Sequence, residues 1–228
     1  MEDFIEISLS LIILDLSSRI IASLITNKSV LSISPNTRWF FIHCWVNLIA
    51  SINTYKDLTY CIKNIEKCTL EKISSEGFYS AKLVLLLHFY HMVVFYKHLK
   101  YSDWFHHVVM TSFNAPLLYY KRLKIQSVVI FFLCGLPGFI DYFLLYLVKT
   151  KLIDIKIEKN IYLFLSSYVR SPGSLLAVFL SIPYFLREQT HFDYTVSFIG
   201  ISLIFWNGQY YMSKTCKDYG KKYKDYGK

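Results

Sequence analysis

The sequence predicts an all-α protein built into a membrane, a polytopic bundle of about seven transmembrane helices with six to eight as the range. Composition is the first reason. The chain of 228 residues is 54% hydrophobic and only 18% charged, where a soluble domain carries about a quarter. Distribution is the second. Apolar runs recur at 7–26, 39–55, 78–98, 104–120, 126–148, 161–186 and 194–213, each close to the roughly 20 residues that cross a hydrocarbon core. The links between them are mostly short, which forces neighbouring helices to pack antiparallel.

The run at 7–26 follows acidic residues (Glu2, Asp3, Glu6) and has no small-x-small cleavage site after it, so it reads as a retained helix rather than a signal peptide. Residues 1–36 form this helix and its link. Asp15 and Arg19, four apart, can pair along one face. Residues 37–214 make up the membrane domain. Its first span opens at Arg38-Trp39-Phe40 and carries His43 and Asn47. Between Lys56 and Glu76, lysines and acids alternate with Leu58, Ile62, Ile65, Leu70 and Ile73, a pattern that predicts an interfacial helix. Cys61 and Cys68 share this connection and can pair if it is lumenal. The next span holds His88 and His91, with His98 at its end. Asp103, His106 and His107 open the span after that. Gly135-Leu136-Pro137-Gly138 precedes Asp141 and predicts a kink or a close helix approach. Arg170 and Asn207 sit in the last two spans, and a basic tail fills 215–228.

Net charge is +9. With the N-terminus outside, fourteen lysines and arginines fall on inner connections and the tail, and eight on outer ones. That bias predicts a cytosolic C-terminus. The tail suits anionic lipid headgroups, and nucleic acid is not an expected partner. The expected partners are membrane lipids, with homo-oligomerisation open.

Polar groups inside a bilayer are costly and tend to be functional. Asp103 lies three and four residues before His106 and His107, so on a helix all three share a face. An imidazole can act as a base or nucleophile near neutral pH. His106, His107, Asp141 and Asp103 are therefore the candidate catalytic groups. His88, His91, His43 and Arg170 are the expected lining of a polar cavity between helices. No metal is expected. The chain has no Cys-x-x-Cys pair, and its seven histidines fall short of the about eight that clustered di-iron boxes supply.

In order along the chain, Arg38-Trp39-Phe40, Gly77-Phe78, Asp103-x-x-His106-His107, Asp141-Tyr142-Phe143-Leu144, Arg170 and Asn207 together resemble the TLC family (TRAM, Lag and CLN-type membrane proteins), which includes ceramide synthases. The likeness runs from about Arg38 to the tail. It implies a location in the endoplasmic reticulum and a role in handling acyl lipids, through lipid binding, control of lipid composition or cargo escort. The alternative it implies is acyl transfer from acyl-CoA to an amine or hydroxyl lipid, with acyl-CoA as co-substrate and no bound cofactor. Three positions differ from ceramide synthases. Pro137 and Gly138 stand where those enzymes have His-Asp, and Leu145 where they have a glutamate.

Overall fold

The computed structural model describes residues 2–187 and 190–224, leaving out the side chains of Glu2, Phe113, Asn114, Leu117 and Lys221–Lys224. The elements are helical: α1 (Glu2–Thr26), α2 (Pro35–Lys63), α3 (Ile65–Cys68), α4 (Ser75–Val94), α5 (Tyr101–Tyr120), α6 (Ile125–Ile130), α7 (Leu136–Lys149), α8 (Ile155–Leu165), α9 (Ser171–Phe185) and α10 (His191–Lys224). Two π-helical segments, Phe131–Gly135 and Ser166–Arg170, join α6 to α7 and α8 to α9 into continuous rods. Local sequence explains the starts. Ser34 accepts from the Thr37 N–H with Pro35 opening α2, Ser74 caps α4 through the Gly77 N–H, and Asp154 caps α8 through the Lys156 N–H. Each satisfies a donor that the helix itself leaves free.

Among the described residues, four helices are long and apolar enough to cross a membrane: Asp3–Thr26, Ser75–Val94, Ile125–Lys149 and Ile155–Phe185. The three remaining rods, α2, α5 and α10, have sufficient length but carry more polar side chains, including most of the histidines. Seven rods are present among the described residues, and four of them meet the apolar standard that the hydropathy runs suggested for all. The polarity is inverted relative to a soluble fold. α1 points Ile5, Leu9, Ile13, Leu16, Ile20 and Leu24 outward, while Asp15, Ser18, Asn47, Ser51 and Thr54 are buried. An apolar exterior of this extent suits lipid.

α2 is the central rod. On one side, Ile42, Val46 and Ala50 pack with Ile7 and Leu11 of α1 and Leu83, Val84 and Leu87 of α4. On the other, Leu58 and Cys61 pack with Val128 of α6 and Ala177 and Leu180 of α9. A polar clasp ties the first group together. Arg38 Nε donates to Asp15 Oδ1 at 2.6 Å, a second Arg38 nitrogen reaches Oδ2, and Tyr90 Oη donates to Oδ2 at 2.8 Å. Arg19 lies 3.8 Å from the same carboxylate, so the Asp15–Arg19 pairing forms but is secondary to Arg38.

The connection expected to be an interfacial helix is different. α2 continues to Lys63, and the chain then turns through α3 and is sealed by a Cys61–Cys68 disulfide with Cα atoms 4.7 Å apart. The reason is Asp57. It is buried and accepts from Ser74 N–H (3.1 Å), Ser74 Oγ (2.9 Å) and Ser127 Oγ (2.7 Å), which draws α2, α4 and α6 together. At this end, Ile73 N–H donates to Arg122 O at 2.7 Å and Lys124 N–H to Glu71 O at 2.9 Å. Arg187 reaches Glu66 O at 3.2 Å, and Lys121 pairs with Asp193 at 2.6 Å. The region read as a separate basic tail also differs, because α10 runs unbroken through 224. Its 34 residues span ~51 Å at 1.5 Å per residue, longer than a ~30 Å bilayer core. Residues 225–228 of that tail lie outside the described residues.

Candidate functional site

A cavity of about 740 Å³ runs inside the bundle from Lys100 and Asp103, where α5 begins, to Lys121 and Asp193 beyond its far end. Its middle wall is apolar, formed by Val84, Leu87, Val129, Leu133, Leu145 and Leu203. His43, His88, His106, His107, Asp141, Tyr142, Arg170 and Asn207 also face it. Six helical rods therefore bring together side chains that are far apart in sequence.

The histidines form the densest feature. The rings of His88, His106 and His107 make a near-equilateral triangle, with centroids 5.5, 5.1 and 5.6 Å apart. Behind it stands an aromatic stack. Trp39 lies face to face with His91 at 4.0 Å, His91 with His43 at 4.4 Å, and His43 with Tyr142 at 4.1 Å. Helix periodicity explains the placement. Trp39 and His43 are four apart on α2, and His88 and His91 are three apart on α4, so each pair shares a face. His88 Nδ1 donates to Val84 O at 2.7 Å and His43 Nδ1 to Trp39 O at 3.0 Å. His107 is 3% exposed, and neither ring nitrogen has a hydrogen-bond partner among the described residues.

A second polar group lies deeper. Arg170 occupies the π segment between α8 and α9, donating to Tyr162 Oη at 3.3 Å and Asn207 Oδ1 at 3.2 Å. Its guanidinium sits 4.4 Å from the Tyr211 ring centroid, a cation–π contact. Both π segments precede a proline: Pro137 and Pro172 each sit within the first two residues of the helix that follows. A proline lacks the N–H and crowds the carbonyl one turn back, and one extra residue per turn relieves that conflict. The predicted kink is thus a π turn, a feature common at functional sites. Close approach is also realised. A Cβ on Gly138 would lie 2.6 Å from Asn47 Nδ2, and one on Gly173 would lie 2.1 Å from the Phe132 ring.

One expectation requires correction, and the two candidate acids take settings of their own. His91 does not line the cavity. It is fully buried, packed against Trp39 and His43, which α2 presents side by side on one face. Asp103 lines the rim but does not orient a histidine. Its carboxylate accepts from the Lys100 N–H at 2.9 Å and from Ser102 Oγ at 3.4 Å, as an acid in a first helical turn often does. Asp141 reaches the same cavity, yet its Oδ1 has no hydrogen-bond partner among the described residues, and Arg170 directs its hydrogen bonds elsewhere. Glu158, fully buried beside Asp141, was missed because it lies in what reads as a polar link. Trp39, Tyr162 and Tyr211 were missed as site residues for a different reason: aromatics are ordinary in membrane helices. Only the four-residue step from Trp39 to His43 signalled the stack.

This set offers aromatic faces, imidazole nitrogens and a guanidinium around one apolar slot. It can hold an amphipathic molecule by both ends, move a proton at an imidazole, or ligate a cation. Compared with family models, curated proteins and solved structures, the chain matches none.

Proposed function

We propose that this protein takes an acyl lipid into its bundle, holding the chain against the apolar wall and the polar end at the histidine cluster. The cavity carries this reading. Its volume falls within the about 300–1,000 Å³ typical of ligand sites, and it is elongated along α5, whose 20 residues rise ~30 Å. The histidine cluster and Arg170 face this cavity together with the apolar side chains of its wall. An apolar slot inside a membrane is no drier than lipid itself, so the polar groups supply the selectivity. Arg170 and the imidazoles suit a carbonyl, hydroxyl or phosphate oxygen.

The disulfide supports an orientation. Disulfides persist in oxidising compartments, which favours the lumenal or extracellular side for Cys61–Cys68 and the loops clamped to it. With seven crossings, the α5 start, the histidine triangle and the C-terminus then lie toward the cytosol. The lysine bias points the same way. The resemblance to the TLC family adds the endoplasmic reticulum.

A second reading has its own support in His107, whose nitrogens are unpartnered beside the cavity. In acyl transfer, one imidazole of the pair would take the proton of an acceptor hydroxyl or amine. The acceptor atom would attack the acyl-CoA thioester, and CoA would leave with that proton. Lipid binding is the broader reading because it uses the whole cavity.

A photoreactive acyl lipid in nanodiscs tests the proposal. Irradiation should label residues on the cavity wall such as Leu133, and a Leu133→Trp variant that obstructs the slot should lose labelling of that wall. Labelling confined to outward residues of α1, unchanged by Leu133→Trp, would overturn it.

A further inference from the structure

The histidine triangle has a geometry that lipid binding alone does not require. The ligand nitrogens of His88, His106 and His107 all lie within 4.8 Å of one another. Three imidazoles bound to one tetrahedral zinc ion place their nitrogens ~2.0–2.1 Å from the metal. With a nitrogen-to-centroid distance of about 1.2 Å, tetrahedral angles put the ring centroids about 5.2 Å apart. The observed separations are 5.5, 5.1 and 5.6 Å. The rings are already spaced close to the separation that one metal would require.

Two further observations point to a ligand. His88 Nδ1 is committed to the Val84 carbonyl at 2.7 Å, so in the neutral ring Nε2 carries the free lone pair. A backbone acceptor on the second nitrogen is the usual outer-shell partner of a metal-binding histidine. His107, buried and without a hydrogen-bond partner among the described residues, would gain the partner that a buried polar group needs. Asp103, the nearest acid in sequence, is engaged at the α5 start, which leaves an all-imidazole set.

We propose that His88, His106 and His107 bind one zinc ion, with the fourth coordination position open to the cavity. Sequence spacing hid this site because one ligand comes from α4 and two from adjacent positions on α5, a pattern matching no short motif. Three nitrogen ligands with one open position is the arrangement of zinc sites that act on water or a carbonyl. Here that position faces water or, where the proposed lipid is bound, one of its oxygens.

The test uses the full chain, purified without a polyhistidine tag, stripped with chelator and titrated with Co²⁺ and Zn²⁺. The expected result is one Co²⁺ per chain with the visible absorption of a tetrahedral ion, displaced by Zn²⁺, and a raised melting temperature. His88→Ala should weaken Zn²⁺ binding by about 100-fold or more, while His98→Ala and His191→Ala leave it unchanged. X-ray absorption on the wild-type zinc form keeps the test independent of variant folding: it should report three histidine nitrogens at about 2.0–2.1 Å. No stoichiometric metal, or binding indifferent to His88→Ala in a folded variant, would overturn the site. Photolabelling of the chelator-stripped protein separates the two claims: lipid capture without metal binding defeats only the zinc site, and metal binding without lipid capture defeats only the lipid reading.

Discussion

At the scale of single residues, buried charges decide where the helices meet. Asp15 and Arg38 are both largely shielded from solvent, and the pair joins α1 to α2 with Tyr90 of α4 as a third member. Removing one partner of such a pair leaves an uncompensated charge, at a cost of about 3–5 kcal/mol. Arg38→Met should therefore destabilise the bundle by roughly that amount, and Asp15→Leu combined with Arg38→Met should recover most of it. A double-mutant cycle of thermal unfolding in one detergent measures this. Additive losses would show that the clasp contributes little. The cysteines give a second check: of the five in the chain, Cys44, Cys134 and Cys216 are free. The unfolded, unreduced protein should take up three maleimides and the reduced protein five. Five labels before reduction would remove the disulfide and the orientation built on it.

Between elements, small residues and end clamps set the packing. A Cβ on Gly208 of α10 would sit 1.9 Å from Ser174 Oγ and 2.7 Å from its Cβ on α9. Gly208→Ala should destabilise this contact by about 1–3 kcal/mol, as overpacking does. Ser174→Gly in the same chain should restore it, because both clashing atoms disappear. Failure of the second substitution to rescue would place the strain elsewhere. At the disulfide end, the hydrogen bond from Lys121 holds the Asp193 carboxyl below its ordinary value of 3.8, with Thr190 adding to the effect. Burial pulls Lys121 down, but Asp193 and Tyr184 outweigh it and leave the amine raised. A carboxylate lowered on folding contributes stability above its unfolded pKa and loses it as pH falls through the folded one. Melting temperature should thus drop on acidification below about pH 4, and Asp193→Asn should flatten that drop. Equal acid slopes in both proteins would show that this clamp carries none of it. Sequence alone showed the helices well, since apolar runs are local. It did not show the α2 extension or the π turns. The first depends on Asp57 meeting serines from two distant helices, and the second on how Pro137 and Pro172 are accommodated once neighbouring rods are present.

For the molecule as a whole, an apolar exterior surrounds an interior whose polar side chains gather around one largely apolar slot. Asp103 and the His106-His107 pair, which line one end of that slot, drew attention because adjacent imidazoles at the mouth of an apolar helix stand out in any sequence. His88 stood out less, and its place beside the pair follows only from α4 packing on α5. His91 resembled it in spacing and went to the opposite role, since three positions along a helix is enough to turn a ring from the cavity into the Trp39 stack. The central claim is that this slot holds one acyl lipid, and native mass spectrometry of the intact chain released from detergent tests it most directly. Wild type should retain a single acyl lipid that survives delipidating washes, and Leu133→Trp should emerge without it while melting normally. A wild-type chain that carries no lipid, or a folded Leu133→Trp chain that carries the same one, would contradict the account.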